Sequence, residues 1–262
     1  MVMRKVNHLI DGNRKIKIFV SGITRLSGGT MEERVKERVS VIRRRVEEAA
    51  WRAGRSPAEV QLIVVTKRVG VDVIAALARS GIKEIGENYV QDAALKRREL
   101  GEVGGSLRWH MIGHLQRNKV KKALEIFDVL HSLDSVGLAS ILQSSLKGRM
   151  RRLPVFIEVK TSGEETKFGA SEEEMFKIAE FVIEHSKEFD LMGLMTMAPY
   201  FEEAEKARPY FAKLRWLRGE VQRRFGGDVA PYLSMGMSSD FEVAVEEGAT
   251  HIRIGDAIVG GL

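Results

Sequence analysis

Residues 60–86 read VQLIVVTKRVGVDVIAALARSGIKEIG, and the order of elements within them decides the fold. Residues 60–66 form a short apolar run rich in valine and isoleucine, which predicts a buried strand. Residues 71–80 carry apolar side chains at helical spacing and stop at Gly81, a helix terminator. Glu84-Ile85-Gly86 then opens a second short strand. Strand, helix and strand in so few residues make a parallel crossover unit.

The same alternation runs on to the C-terminus. Further strands are expected at 109–112, 129–132, 155–159, 191–195, 232–235 and 251–254, with helices at 89–100, 118–126, 136–146, 172–185, 204–225 and 241–247. About eight such units in one chain fit a closed barrel better than an open doubly wound sheet. Upstream, Val35, Val39, Ile42, Val46 and Ala49 recur at helical spacing through residues 31–53. That helix precedes the first strand and can take the place of the missing eighth outer helix. The expected fold is therefore α/β, a single (β/α)8 TIM barrel over residues 31–262 with an extra N-terminal helix. Ser27-Gly28-Gly29-Thr30 sets off residues 1–30 as an N-terminal extension of uncertain order.

Composition narrows the function. The chain has no cysteine, which excludes disulfides, thiolate metal sites and cysteine nucleophiles. No HExxH pattern occurs, so no metal site is expected. No apolar run is long enough to span a bilayer and no signal-peptide pattern opens the chain, so a soluble cytoplasmic protein is expected. The net charge of +6 gathers at residues 43–45, 96–98, 119–122 and 149–152. These clusters read as solvated helix faces rather than a nucleic-acid surface. A mild positive field would also attract a phosphorylated small molecule.

In a barrel of this kind the acting residues lie where strands end. Lys67 follows the first strand directly. Withdrawn from water at the barrel mouth, an ammonium favours its neutral form, and a neutral amine forms an imine with an aldehyde. The alternative is a lysine that reaches solvent or pairs with Glu87. After the seventh strand, Ser234-Met235-Gly236-Met237-Ser238-Ser239 offers glycine, hydroxyls and free N–H groups to an anion. Arg253-Ile254-Gly255-Asp256 stands in the adjacent unit, where Gly255 allows close backbone approach. Two ordinary glycine turns with a capping serine would read the same way. A lysine at one strand end and an anion cradle at the last two fit a phosphorylated aldehyde. The methionines at 192, 195, 197, 235 and 237 read as apolar filling of the barrel interior.

At these strand ends the sequence resembles the pyridoxal phosphate homeostasis proteins. The resemblance is carried by Val64-Val65-Thr66-Lys67, by residues 85–91 (IGENYVQ) and by residues 109–119 (WHMIGHLQRNK). It continues through Lys167-Phe168-Gly169, residues 193–197 (GLMTM), residues 233–240 (LSMGMSSD) and Arg253-Ile254-Gly255, in order, from Met31 to the C-terminus. It implies a barrel like the N-terminal domain of alanine racemase, with pyridoxal 5′-phosphate (PLP) carried on Lys67. It implies phosphate contacts from Ser234, Gly236, Ser238, Arg253 and Gly255, with Asn88 and His110 near the cofactor. Two departures stand out. Arg68-Val69-Gly70 follows the lysine where the family commonly has a proline two residues after the next position. Asp256 stands where a small or hydroxyl residue is common, which puts a side-chain phosphate contact there in doubt.

The resemblance implies a PLP carrier that serves apo PLP-dependent enzymes, without catalytic residues of its own; no partner surface is legible in the sequence, so a monomer is expected. Two other classes remain open. An amino-acid racemase would need a second acid–base group, and neither Tyr89 nor Tyr200 is an obvious one; the chain is expected to lack the C-terminal β-domain that supplies it. A sugar-phosphate barrel enzyme could use Lys67 and the same anion loops without PLP.

Overall fold

The computed structural model describes residues 29–162 and 168–262. The expected N-terminal extension lies, up to residue 28, outside the described residues. Eight strands close in chain order: β1 (Gln61–Val65), β2 (Glu84–Glu87), β3 (Arg108–Met111), β4 (Val129–Leu133), β5 (Leu153–Glu158), β6 (Phe189–Met195), β7 (Tyr232–Ser234) and β8 (His251–Ile254). Every pairing is parallel, and β1 closes on β8 with Gln61 to Val64 beside His251 to Ile254. The (β/α)8 barrel expected from the alternation is the fold observed.

Among the described residues ten α-helices surround it: α1 (Met31–Arg52), α2 (Val71–Arg79), α3 (Val90–Leu100), α4 (Glu102–Ser106), α5 (Val120–Ile126), α6 (Val136–Leu146), α7 (Glu172–Glu184), α8 (Arg208–Phe225), α9 (Phe241–Glu246) and α10 (Asp256–Val259). None among the described residues is long and apolar enough to cross a membrane. Thr30 caps α1 in a reciprocal box with Glu33, which satisfies donors that a helix start leaves open. The buried stripe of α1 packs against α2, α9 and α10, across the seam where β8 meets β1. Arginines reinforce the seam. Arg38 donates to the carbonyls of Ile258 and Gly260, Arg45 pairs with Glu242, and Arg52 pairs with Glu246.

Helices α4 and α10 were not expected. Residues 102–106 contain Gly104-Gly105 and have no apolar period, so nothing in the pattern announces a helix. Gly101 ends α3 at φ 53°, a left-handed conformation that suits glycine. Helices α5 and α8 begin later than the apolar pattern suggests, each after a 3-10 turn. In α8 the shift places Pro209 in the first turn, where its missing N–H costs nothing.

The core has two unequal parts. Outward-facing strand residues such as Val64, Ile85, Trp109, Val155 and Ile252 pack beneath the helices. Inside the barrel the apolar cluster is small: Val129, Phe156 and Met195, with Met192 against it. The methionine expectation is corrected accordingly. Met192 and Met195 help fill the interior, Met235 belongs to the outer core, and Met197 is partly exposed.

Another correction concerns the basic cluster at residues 96–98. Lys96 is not a solvated surface residue: its Nζ donates to Glu87 Oε1 at 2.8 Å and to the Thr66 carbonyl at 2.7 Å. The Thr66 hydroxyl donates to the same carboxylate oxygen at 2.6 Å, and Glu87 is fully buried. This knot fixes the chain where it leaves β1. Removing one partner of a buried ion pair leaves an uncompensated charge. Lys96→Ala is therefore expected to cost about 3–5 kcal/mol in urea unfolding. Adding Glu87→Leu to it should recover most of that loss; a cost below about 1 kcal/mol for the single variant would show that the pair is not buried as described.

Candidate functional site at the barrel mouth

Strand β1 ends at Val65, and the Val69 N–H donates to the Thr66 carbonyl at 3.2 Å, so the chain turns through residues 66–69. Lys67 lies on that turn and is exposed. The expectation of an amine shielded from water is thus corrected. The strand stops one residue earlier than its apolar pattern, and the turn lifts Lys67 to the rim. The carboxylate that could have paired with it, Glu87, is occupied by Lys96 and Thr66. Lys67 is left open to a ligand in solution.

The loops after β7 and β8 adjoin β1 across the seam. Gly236 sits at φ 94°, and a Cβ there would press on Ala244 and Phe241, so the turn requires glycine. Asp240 Oδ1 accepts from the Met237 N–H at 2.6 Å and holds this turn closed. Ser238 Oγ accepts from the N–H groups of Gly255 and Ala257 at 3.3 and 3.4 Å, which stitches the two loops together. The N–H groups of Ser238, Ser239 and Asp256 meet no backbone acceptor among the described residues. Gly236, Ser238 and Gly255 are thus gathered together, with the free N–H groups of Ser238, Ser239 and Asp256 among them. Such a cluster suits an anion.

Ser234 and Arg253 lie two residues further back on the same strands, buried inside the barrel. Their side chains do not point into those loops unengaged. Arg253 donates to Ser234 Oγ at 2.6 Å and to the Thr196 carbonyl at 2.9 Å. Burial lowers the Arg253 guanidinium to about 10, against the opposing pull of Glu158 and Asp240. It remains a cation at neutral pH.

From this pair a line of hydrogen bonds crosses the barrel. His131 Nδ1 lies 2.9 Å from Ser234 Oγ, its Nε2 lies 2.8 Å from His110 Nδ1, and His110 Nε2 lies 2.5 Å from Glu84 Oε2. The two ends fix the direction. A guanidinium can only donate, and a carboxylate can only accept. Ser234 therefore donates to His131, His131 donates to His110, and His110 donates to Glu84, with both imidazoles neutral and protonated on Nε2. This assignment follows from the network. Burial above all holds both imidazoles below their ordinary value, and each has a further cationic neighbour acting the same way. His251, deeper in the barrel, is lowered to about 3, again mainly by burial.

His110, expected beside the cofactor, is a buried link in this line rather than a residue of the mouth. The sequence pattern gives no role to His131 or Glu84, the other members of this line. A signal existed: His110 pairs in register with Val129, and strand alternation puts His131 on the same face two residues on.

The opposite side of the mouth holds a cavity of about 380 Å³ between the ends of β2, β3, β5 and β6. Asn88 lines it, as do Lys119, Glu158, Phe168 and Met197. Glu158 is only 3% exposed, and burial with the nearby Asp134 raises its carboxyl to about 7 despite Arg253. The Asn88 Oδ1 atom is buried without a hydrogen-bond partner. His114 stacks on Phe168 at 4.1 Å and pairs with Asp134 at 3.2 Å. Glu158 falls within the strand expected at 155–159, and nothing in the sequence marks its isolation, which depends on what surrounds it in space.

These shifts predict a pH dependence of stability. An unfolded imidazole takes a proton below about pH 6.5. Folded His110, His131 and His251 resist it, so the unfolded state binds more protons and stability falls as pH drops through that value. Glu158 and Asp240, raised by burial, take up protons first in the folded state and act in the opposite sense. Three imidazoles outnumber two carboxyls, so stability is expected to fall as pH drops from about 6.5 to 5. Urea midpoints measured at pH 7, 6 and 5 check this, and a flat profile would contradict it.

Residues 38–262 match the family model for the alanine racemase N-terminal domain. The pyridoxal phosphate homeostasis protein of Aquifex aeolicus is 42% identical over 224 residues, covering 86% of this chain and 96% of that protein. The protein of the same name from Escherichia coli K12 is 34% identical over 234 residues, with 86% and 96% covered. The solved structure of PipY from Synechococcus elongatus PCC7942, with PLP bound, superposes at TM-score 0.74 and 33% identity, covering 86% of this chain and all of that one. Alanine racemase from Corynebacterium glutamicum shares the fold at TM-score 0.63 and 14% identity, with 88% of this chain matched to 62% of that one. The barrel, the order of its strand-end motifs and these likenesses agree: the chain belongs to the pyridoxal phosphate homeostasis protein family, built on the alanine racemase N-terminal domain.

Proposed function

We propose that this protein binds PLP reversibly through Lys67 and acts in the cytoplasm as a monomeric carrier that passes the cofactor to apo PLP-dependent enzymes. One observation carries the reading. The exposed amine of Lys67 follows β1, and the donor cluster of the β7 and β8 loops stands on the adjoining side of the seam. The bound cofactor brings an aldehyde that reacts with amines, a phosphate and an aromatic ring nitrogen.

The donor set fits that group. The N–H groups around Gly236, Ser238 and Gly255 and the Ser238 hydroxyl would hold the phosphate, with the two glycines letting it approach the backbone. Ser234 and Arg253 lie beneath these loops, where they would present a fixed cationic surface to the bound group. Asn88, just after β2, lines the cavity across the mouth and so would stand near the cofactor rather than beside its phosphate. His110 acts through His131, keeping Ser234 oriented toward Arg253.

Neither tyrosine named for the racemase reading is placed as its second acid–base partner. Tyr89 and Tyr200 are 61% and 78% exposed, and a solvated phenol is poorly placed for that role. A carrier without appreciable turnover is the reading this supports.

Purified protein given PLP is expected to show the visible absorption of the protein-bound cofactor, and Lys67→Ala to lose it while remaining folded by circular dichroism. A colourless wild-type protein that ignores PLP would favour the sugar-phosphate reading. Ser238→Ala should weaken PLP binding at least about tenfold, the worth of one hydrogen bond to a charged group. Loaded protein should activate a PLP-free enzyme faster than an equal amount of free PLP. Turnover of single-enantiomer amino acids at about 1 per second or faster, measured by chiral analysis, would overturn the carrier assignment.

A further inference from the structure

The cavity opposite the anion loops is lined by two acceptors that the protein itself leaves unused. Glu158 is almost fully buried, lines the cavity and has no ion-pair partner among the described residues. Asn88 Oδ1 is buried and unpartnered on the same cavity. Buried polar atoms are nearly always satisfied, so an orphaned amide oxygen and an unpaired buried carboxylate lining one cavity mark a place where a ligand supplies the missing donors. Both are acceptors, which asks for a group rich in N–H, and a carboxylate asks for a cation. The half-buried cation of Lys119 lines the cavity as well, and Phe168 and Met197 add apolar surface.

We propose that this cavity binds a free α-amino acid non-covalently, its ammonium held by Glu158 and Asn88, its carboxylate by Lys119 and an apolar side chain by Phe168 and Met197. Occupancy rests on these residues alone; the use made of it rests on the PLP reading. A carboxyl raised to about 7 can also serve as proton acceptor. Loss of one proton from the ammonium to the Glu158 carboxylate, uphill because the amine holds it more tightly, gives a minor fraction of neutral amine beside a neutral carboxyl. The neutral amine is the form that reacts with aldehydes, so an amino acid held here stands ready to compete with Lys67 for the cofactor.

The test is calorimetric titration of PLP-free wild-type protein at pH 8 with L-leucine, 3-methylbutylamine and 4-methylpentanoate, which keep the side chain and remove one charged group in turn. Leucine and 3-methylbutylamine should bind, and 4-methylpentanoate should bind at least about tenfold more weakly than leucine. Glu158→Gln, close in shape and relieved of a buried charge, should weaken both amines at least about tenfold. Lys119→Ala should weaken leucine and leave 3-methylbutylamine unchanged. Absence of binding by both amines, equal binding of 4-methylpentanoate, or unaltered amine binding in Glu158→Gln would overturn the proposal. Lys67→Ala should bind leucine as the wild type does, so failure of PLP uptake and failure of this site are read separately.

Discussion

A guanidinium shut inside a closed barrel constrains everything around it. Arg253 is 3% exposed, and a cation so placed must have its donors satisfied and its charge answered. Ser234 and the Thr196 carbonyl meet the first need, and Glu158, Asp240 and, through two imidazoles, Glu84 bear on the second. The usual filling of such barrels is branched and apolar. Here the apolar share has shrunk to a few side chains around Phe156, and a polar line takes the remaining space. A fully satisfied polar network accepts one arrangement and rejects others. Arg253 is thereby positioned by residues from β4, β6 and β7 at once, more narrowly than packing alone would hold so long a side chain.

The same logic separates what the sequence made legible from what it hid. Strand and helix alternate because neighbouring residues share a face, so the barrel could be read from local pattern. The Gly-containing loops could be read too, since a turn's needs are written in consecutive residues. Partnerships across the barrel could not. Lys96 stands in a run of basic residues and looks solvated, yet one turn of α3 brings it under the end of β1. His131 shows no partner in sequence because its neighbours, His110 and Ser234, are 21 and 103 residues away. Lys67 was legible in position but not in exposure, because the strand's last residue depends on where the turn's hydrogen bond closes.

Around the mouth, chemistry is divided by side. The loops of β7 and β8 present donors, which favour an anion, while the ends of β2 and β5 present unused acceptors, which favour a cation. Lys67 stands on β1, between β8 and β2 in the barrel order. A ligand that carries phosphate at one end and reacts with amines at the other would meet complementary groups at both. The exposed setting of Lys67 suits a covalent link that must be remade with partners from solution, since an amine sealed in the interior would exchange slowly.

This arrangement puts a mechanical demand on the seam between β8 and β1. Every other neighbouring pair of strands is joined by a connection through the chain, whereas this pair is held by its ladder and by what lies across it. Helix α1 lies there, packed on α2, α9 and α10 and tied down by Arg38, Arg45 and Arg52. Gly255 approaches Val65 at this line, with only 3.4 Å from a Cβ placed on the glycine to the valine Cβ. A small opening of the seam would separate the β8 loop from the turn of Lys67, so the added helix acts on the site by holding its two halves in register.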